Sequence, residues 1–244
     1  VHIGILGGTG PAGSALAARL ASVGFDVTIG SRSKYKAMEV VDKLDAAWPD
    51  RNLGIVAGDN AAAAEADVVV IATPWDGAYG TATSVAEALD GKVVICMANA
   101  LARIGKEFQP LVPPRGSVAA SVQAAVPGCQ VAAAFHHVPA KELGDLAHPI
   151  VSDVLVCSDF PRATEVTSKI VSSVPTMRPL DAGGLSQATP IESFTAVLLQ
   201  LNMHYKTRVA VRFTGIPDPD GVATDLVEHE TPNAEAAAGT SAEE

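Results

Sequence analysis

Residues 5–27 read ILGGTGPAGSALAARLASVGFDV, and this stretch decides the fold. An apolar run ends in glycines, an Ala-rich helical stretch follows, and a second apolar run begins at Phe25. Gly8-Thr9-Gly10-Pro11-Ala12-Gly13 therefore lies directly between a strand and a helix. In that context the first glycine permits the tight turn, the second lets backbone approach a pyrophosphate, and the third packs helix against strand. The N–H groups at the helix start face the anion. Glycines also serve a bare strand-to-helix turn, but within a βαβ unit the motif reads as a dinucleotide site.

The same alternation runs outward from this unit. Apolar runs at 1–7, 25–30, 53–58, 66–73, 92–97, 129–135, 153–158 and 176–183 are separated by helical stretches at 13–24, 34–46, 60–66, 75–89, 117–126 and 160–173. Continuous apolar runs mark strands buried on both faces, so they predict one open, mainly parallel sheet of seven or eight strands covered by helices. That is an α/β fold, Rossmann-type and doubly wound. After Gly184 the alternation stops. A helical pattern over about 189–206, apolar at Ile191, Phe194, Val197, Leu198, Leu201 and Met203, predicts a cap, and an apolar segment at 209–216 closes the ordered part. The expected organisation is a Rossmann domain at 1–184, a small C-terminal helical element at 185–216 and an acidic tail at 217–244.

Composition limits the function classes. With 48% hydrophobic residues in 244, the chain has ample material for a core. The net charge of −10 is concentrated: residues 217–244 hold eight acids and no Lys or Arg, and the rest carries 17 cations against 19 acids. A nearly neutral body gives no reason to expect nucleic-acid binding. The tail is expected to be disordered, being too poor in apolar residues to offset chain entropy. No stretch reaches the roughly 18 apolar residues of a membrane span, and no charged leader precedes the first strand, so the expected location is the cytoplasm. Cys96, Cys129 and Cys157 are widely spaced, as buried thiols of a reducing compartment would be, and no metal site is expected.

The second strand ends at Gly30, where GSRSKYK (30–36) follows. A site for NAD would place Asp or Glu here to accept hydrogen bonds from the ribose hydroxyls. Ser31, Arg32, Ser33, Lys34 and Lys36 stand there instead. Cations at a helix start oppose the macrodipole unless an anion lies between them. Guanidinium, ammonium and hydroxyl groups suit the 2'-phosphate of NADP; a merely solvated positive face is the plainer alternative.

In open α/β sheets ligands lie beyond the carboxyl ends of the strands. There the sequence offers Thr73-Pro74-Trp75 after the fourth strand, Asn99 and Ala100 after the fifth, and His136-His137-Val138-Pro139 after the sixth. Trp75 either presents its indole at the mouth of the site or packs as an ordinary core aromatic. Adjacent histidines invite a metal or acid/base reading, yet strand neighbours point to opposite sides and no third ligand lies nearby. Ligand contact by one ring and a satisfied core histidine are the readings that remain.

These residues carry a family pattern: ILGGTGxxG (5–13), GSR (30–32) with Lys36 four after the Arg, PW (74–75), HxVPA (136–140), RPLDAGxLS (178–186) and IESFT (191–195). Over about residues 1–215 the chain resembles the NADPH-dependent coenzyme F420 reductases. The resemblance implies hydride exchange between NADP(H) and coenzyme F420, an 8-hydroxy-5-deazaflavin, without a nucleophile or metal. It places Thr9, Gly10, Pro11 and Ala12 at the pyrophosphate, Ser31, Arg32 and Lys36 at the 2'-phosphate, and Trp75 near the nicotinamide half. His136, His137, Val138 and Pro139, with Ser193, Phe194 and Thr195, would line the deazaflavin pocket, His136 as a contact for its carbonyl. Gly8, Thr73, Pro74, Asn99 and Ala100 complete the expected cofactor-binding set, and a homodimer is a further expectation. Pro11, which lacks an N–H, and His137, where a smaller hydroxyl residue is expected, depart from the pattern. Two other functions stay open: an NADPH-dependent reductase of a flavin or small carbonyl or imine substrate, and a non-catalytic NADP-sensing protein whose tail recruits partners.

Overall fold

The computed structural model describes residues 1–217. In chain order it contains β1 (His2–Leu6), α1 (Pro11–Ser22), β2 (Asp26–Ser31), α2 (Lys34–Ala47), β3 (Val56–Asp59), α3 (Asn60–Ala64), β4 (Val68–Ile71), α4 (Trp75–Ser84) and α5 (Ala86–Leu89). There follow β5 (Val93–Cys96), β6 (Leu101–Ile104), β7 (Glu107–Pro110), α6 (Val118–Ala125), β8 (Gln130–Ala133), α7 (Ala140–Leu143), β9 (Ser152–Ser158), α8 (Pro161–Ser172), β10 (Met177–Asp181) and α9 (Ala188–Tyr205). The expected acidic tail lies outside the described residues, apart from Pro217.

Eight strands form one sheet in the order β10-β9-β8-β5-β4-β1-β2-β3. The chain winds from β1 out through β2 and β3, then returns to the other side of β1 at β4 and continues through β5 and β8. The winding direction reverses between β1 and β4, which is the crevice where such sheets take ligands. All these pairs are parallel; β9 runs antiparallel to β8 and starts at the end where β8 stops. β10 pairs parallel with β9. β6 and β7 form a separate antiparallel hairpin that packs on α9.

The apolar runs are continuous because alternate side chains enter two different cores. Val68 and Val70 of β4 pack with Leu16 and Leu20 of α1, whereas Val69 and Ile71 pack with Ala78 and Ala82 of α4. β5 divides its residues in the same way, Val93 and Ile95 to one core, Val94 and Cys96 to the other. Helix α3 lies so close on the sheet that a Cβ on Gly4 would fall on the carbonyl oxygen of Ala63, and one on Gly30 would come within 2.7 Å of the Ala63 Cβ. Residues Val1–Phe213 form a single compact unit.

The segment expected to close the ordered part is held by a buried ionic cluster. Asp153, with a fully buried side chain, accepts from Arg178 Nε (2.8 Å) and Nη2 (2.7 Å) and pairs with Arg212 (3.2 Å). The Phe213 N–H donates to the same carboxylate, and the Arg178 guanidinium also donates to the Phe213 carbonyl. The Asp153 N–H donates to the Val211 carbonyl at 2.7 Å. Residues 208–213 are thereby tied to the start of β9 without belonging to the sheet.

Candidate functional site

The glycine turn follows β1 at the reversal point. Gly7 has φ 68° and carries no side chain because a Cβ there would come within 2.5 Å of Thr73 Cγ2. The Gly8 N–H donates to the carbonyls of Ile5 and Gly30, which fixes the turn against β2. A Cβ on Gly13 would meet Gly8 Cα at 2.8 Å, so the third glycine permits close packing of α1. Gly10 is different. The nearest atom to a Cβ placed there is 3.9 Å away, so its missing side chain leaves open space rather than room for protein. Pro11 is the first residue of α1, and Ser14 is the first to donate back into the helix, to Gly10 O at 2.9 Å. Pro11 therefore removes only an N–H that helix geometry leaves over, and those of Ala12 and Gly13 precede the intrahelical bonds.

At the end of β2, Ser31 is buried and its hydroxyl oxygen accepts the Ser33 N–H at 3.2 Å. Arg32, Lys34 and Lys36 are exposed, and among the described residues none of them has an acidic partner. The first turn of α2 holds no acid, and its N-cap Ser33 makes no capping bond through its side chain.

Thr73 and Pro74 follow β4, and Trp75 opens α4 with 37% of its surface exposed, so the indole is not a core residue. The Thr73 hydroxyl is buried without a hydrogen-bond partner. Beside Trp75 lies a cleft of about 330 Å³, lined by the start of α4, by residues 113–115 and by one face of α6.

Asn99, His136 and Thr195 come from three separate stretches and meet. The Asn99 carboxamide donates to the His136 carbonyl at 2.9 Å, and the Thr195 hydroxyl lies 3.1 Å from both that carbonyl and Asn99 Oδ1. The loop after β8 is thus joined to the loop after β5 and to α9. Phe135, just before it, has φ 64°, a left-handed conformation costing an ordinary side chain on the order of 1–3 kcal/mol. The bonds to the neighbouring carbonyl hold that turn in place.

The two adjacent histidines have different surroundings. The His137 ring, 3% exposed, bonds through Nε2 to the Asp153 carbonyl at 2.9 Å, next to the ionic cluster. The His136 ring, 4% exposed, faces the Met97 and Ala98 backbone without a hydrogen bond of full geometry. Burial, with the neighbouring His137, pushes the His136 ring down to about 3, so it is neutral at physiological pH. A neutral imidazole offers one N–H and one acceptor. Val138 is buried, Pro139 precedes α7, Ala100 is buried, Ser193 is half-buried and Phe194 is exposed. Among the described residues no group of three or more His, Cys, Asp or Glu could hold a metal ion, and no helix is long and apolar enough to cross a membrane.

One carboxylate in this region escaped the sequence reading as a functional residue. Glu192, inside the IESFT stretch, is 3% exposed and accepts N–H bonds from Val118 and Ala119. Burial pushes its carboxyl up to about 7 against the pull of those two donors.

The strand order and the glycine turn at the reversal point define a Rossmann-type α/β protein. Residues 2–100 match the family described as NADP oxidoreductase, coenzyme F420-dependent. The chain is 36% identical over 222 residues to the F420-dependent NADP reductase of Methanocaldococcus jannaschii, covering 88% of this chain and 99% of the relative. It is 34% identical over 228 residues to that of Methanothermobacter marburgensis, covering 89% and 100%. A crystal structure of a candidate F420 dependent NADP-reductase from Arthrobacter sp. FB24 superposes with a TM-score of 0.74 at 23% identity, covering 86% of this chain and 99% of that one, and shares the fold. The chain belongs to the family of F420-dependent NADP reductases.

Proposed function

We propose that this protein is an NADP-dependent oxidoreductase that transfers hydride between NADP(H) and the deazaflavin coenzyme F420. The observation that carries the reading is similarity to F420-dependent NADP reductases over nearly their whole length. The residues fit the two groups. The open space at Gly10 suits a pyrophosphate, and the unpaired Arg32, Lys34 and Lys36 suit a 2'-phosphate. The unpartnered Thr73 hydroxyl suits a ligand that brings its own polar atom.

In this reading Gly8 to Ala12 cradle the pyrophosphate, and Ser31, Arg32 and Lys36 hold the 2'-phosphate. Thr73, Pro74, Trp75, Asn99 and Ala100 orient the nicotinamide half. His136 to Pro139, with Ser193, Phe194 and Thr195 of the C-terminal element, surround the acceptor, and the neutral His136 offers its N–H to a carbonyl. When bound, the cofactors supply the redox chemistry, C4 of nicotinamide and C5 of the deazaflavin being the exchanging atoms. The chain contributes orientation and exclusion of water, and needs no nucleophile. Its buried, unpaired cysteines suit the cytoplasm.

Purified protein with NADPH is expected to bleach the visible absorbance of F420 stoichiometrically. With stereospecifically deuterated NADPH the label is expected on the deazaflavin, not in solvent. Equally fast reduction of FAD or FMN would move the reading to a general reductase. NADPH binding without reduction of any acceptor would leave a sensor.

The proposal includes a homodimer. Phe194, Val197, Leu201 and Tyr205 form an exposed stripe along α9. The acidic residues 218–244 are a poor match for it, whereas a second copy presents the same apolar helix. Leu201→Glu is expected to convert a dimer to a monomer in analytical ultracentrifugation; a wild-type monomer would remove this part of the proposal.

A further inference from the structure

Helix α9 makes two sets of long-range bonds. Thr195 holds the His136 carbonyl and Asn99 at the strand ends. One turn earlier, the Glu192 carboxylate accepts the N–H groups of Val118 at 2.9 Å and Ala119 at 3.1 Å, the first two residues of α6. Thr189 donates to the Gly116 carbonyl at 2.9 Å. Of the residues so gripped, Val118 lines the cleft beside Trp75, whose other walls are α4, residues 113–115 and the rest of α6.

The start of α6 leaves buried N–H groups that need acceptors, and Glu192 satisfies those of Val118 and Ala119. The helix already has a local N-cap, Ser117, whose hydroxyl oxygen accepts the Ala120 N–H at 2.9 Å. Glu192 is a second cap supplied from 73 residues away. A carboxylate is costly to bury, and what its two bonds add is a fixed distance between the start of α6 and the face of α9 that carries Thr195. We propose that Glu192 is a positioning residue for the acceptor: it holds the α6 wall of the Trp75 cleft in register with Thr195 and the His136 loop. The proposal rests on the functional reading above. Glu192 need not touch the acceptor, and the helix it caps packs on β5 and β8, whereas the residues assigned to the 2'-phosphate follow β2.

The test compares Glu192→Gln with Ser117→Ala in steady-state reduction of F420 by NADPH. Gln keeps the shape but offers a single acceptor oxygen and turns an N–H₂ toward one of the two donors. Its KM for F420 is expected to rise at least about tenfold, since a wall shifted against α9 removes contacts that bind the acceptor. NADPH affinity, read by fluorescence titration, is expected to stay at the wild-type value. Ser117→Ala weakens the same helix start and is expected to lower Tm while keeping the wild-type KM. Unchanged kinetics in Glu192→Gln, a parallel loss of NADPH affinity, or the same KM shift in Ser117→Ala would each overturn the proposal and leave Glu192 a structural cap. If the wild-type protein does not reduce F420 at all, the functional reading fails and this proposal with it; an active wild type with an indifferent Glu192→Gln overturns the proposal alone.

Discussion

Replacing Asp153 by Ala is expected to destabilise the protein by about 3–5 kcal/mol, the range for removing one partner of a buried ion pair. The reason is what remains. Arg178 is 5% exposed, and without Asp153 its buried guanidinium loses the carboxylate to which Nε and Nη2 donate. The Phe213 N–H loses its acceptor in the same change, so residues 208–213 keep only the Val211 and Phe213 carbonyl bonds to this region. Urea denaturation followed by circular dichroism should show a lower midpoint with little change in slope. A shift worth less than about 1 kcal/mol would mean that the cluster is no better than a surface pair. The pH dependence gives a second reading. Burial raises the Asp153 carboxyl, but the Arg178 and Phe213 hydrogen bonds and the charges of Arg178 and Arg212 outweigh it and hold the group below 3.8. A depressed carboxylate contributes stability that is complete above the unfolded value and is lost as pH falls through the folded one. The wild type should lose this contribution only in acid, and the Ala variant should lack it at every pH.

The same cluster marks the limit of what the sequence discloses. The βα alternation was legible because strands covered on both faces must be apolar at every position, as β4 and β5 are. The reversal point was legible because glycines there answer to steric demands that no other residue meets. The hairpin of β6 and β7 was not, since neither Leu-Ala-Arg-Ile nor Glu-Phe-Gln-Pro has the alternation of a half-buried strand. Asp153 reads as one polar residue at a strand start, and nothing local reveals that Arg178 and Arg212 converge on it. Asn99, His136 and Thr195 could each be picked out as strand-end or helix residues facing a ligand, but their mutual hydrogen bonds join positions as many as 96 residues apart. Glu192 is the extreme case: its chemistry depends entirely on the N–H groups of another helix.

The largest effect on binding is expected from removing Arg32 and Lys36 together. Both side chains are exposed at the end of β2 and the start of α2, and neither has an acidic partner among the described residues, so Ala at both positions should leave the fold unchanged. If they contact the 2'-phosphate, each charge-assisted hydrogen bond contributes about 1.5–3 kcal/mol, nearer the lower figure at a rim where salt screens exposed charges. Two such contacts predict a loss of NADPH affinity of at least about 100-fold. NADH, which has no phosphate at that position, should bind the variant as it binds the wild type, so the preference between the two cofactors should largely disappear. Lys34 and the Ser31 hydroxyl remain, and they are expected to preserve a small residual preference. Fluorescence titration of both dinucleotides against wild type and variant measures all four affinities, and repeating it at higher ionic strength should shrink the NADPH difference more than the NADH one. Equal losses for NADPH and NADH would show that the cations act on something common to both molecules, such as the pyrophosphate or the fold of the turn, and the 2'-phosphate assignment would then fall, because a contact to a 2'-phosphate that NADH lacks cannot weaken NADH binding when it is removed.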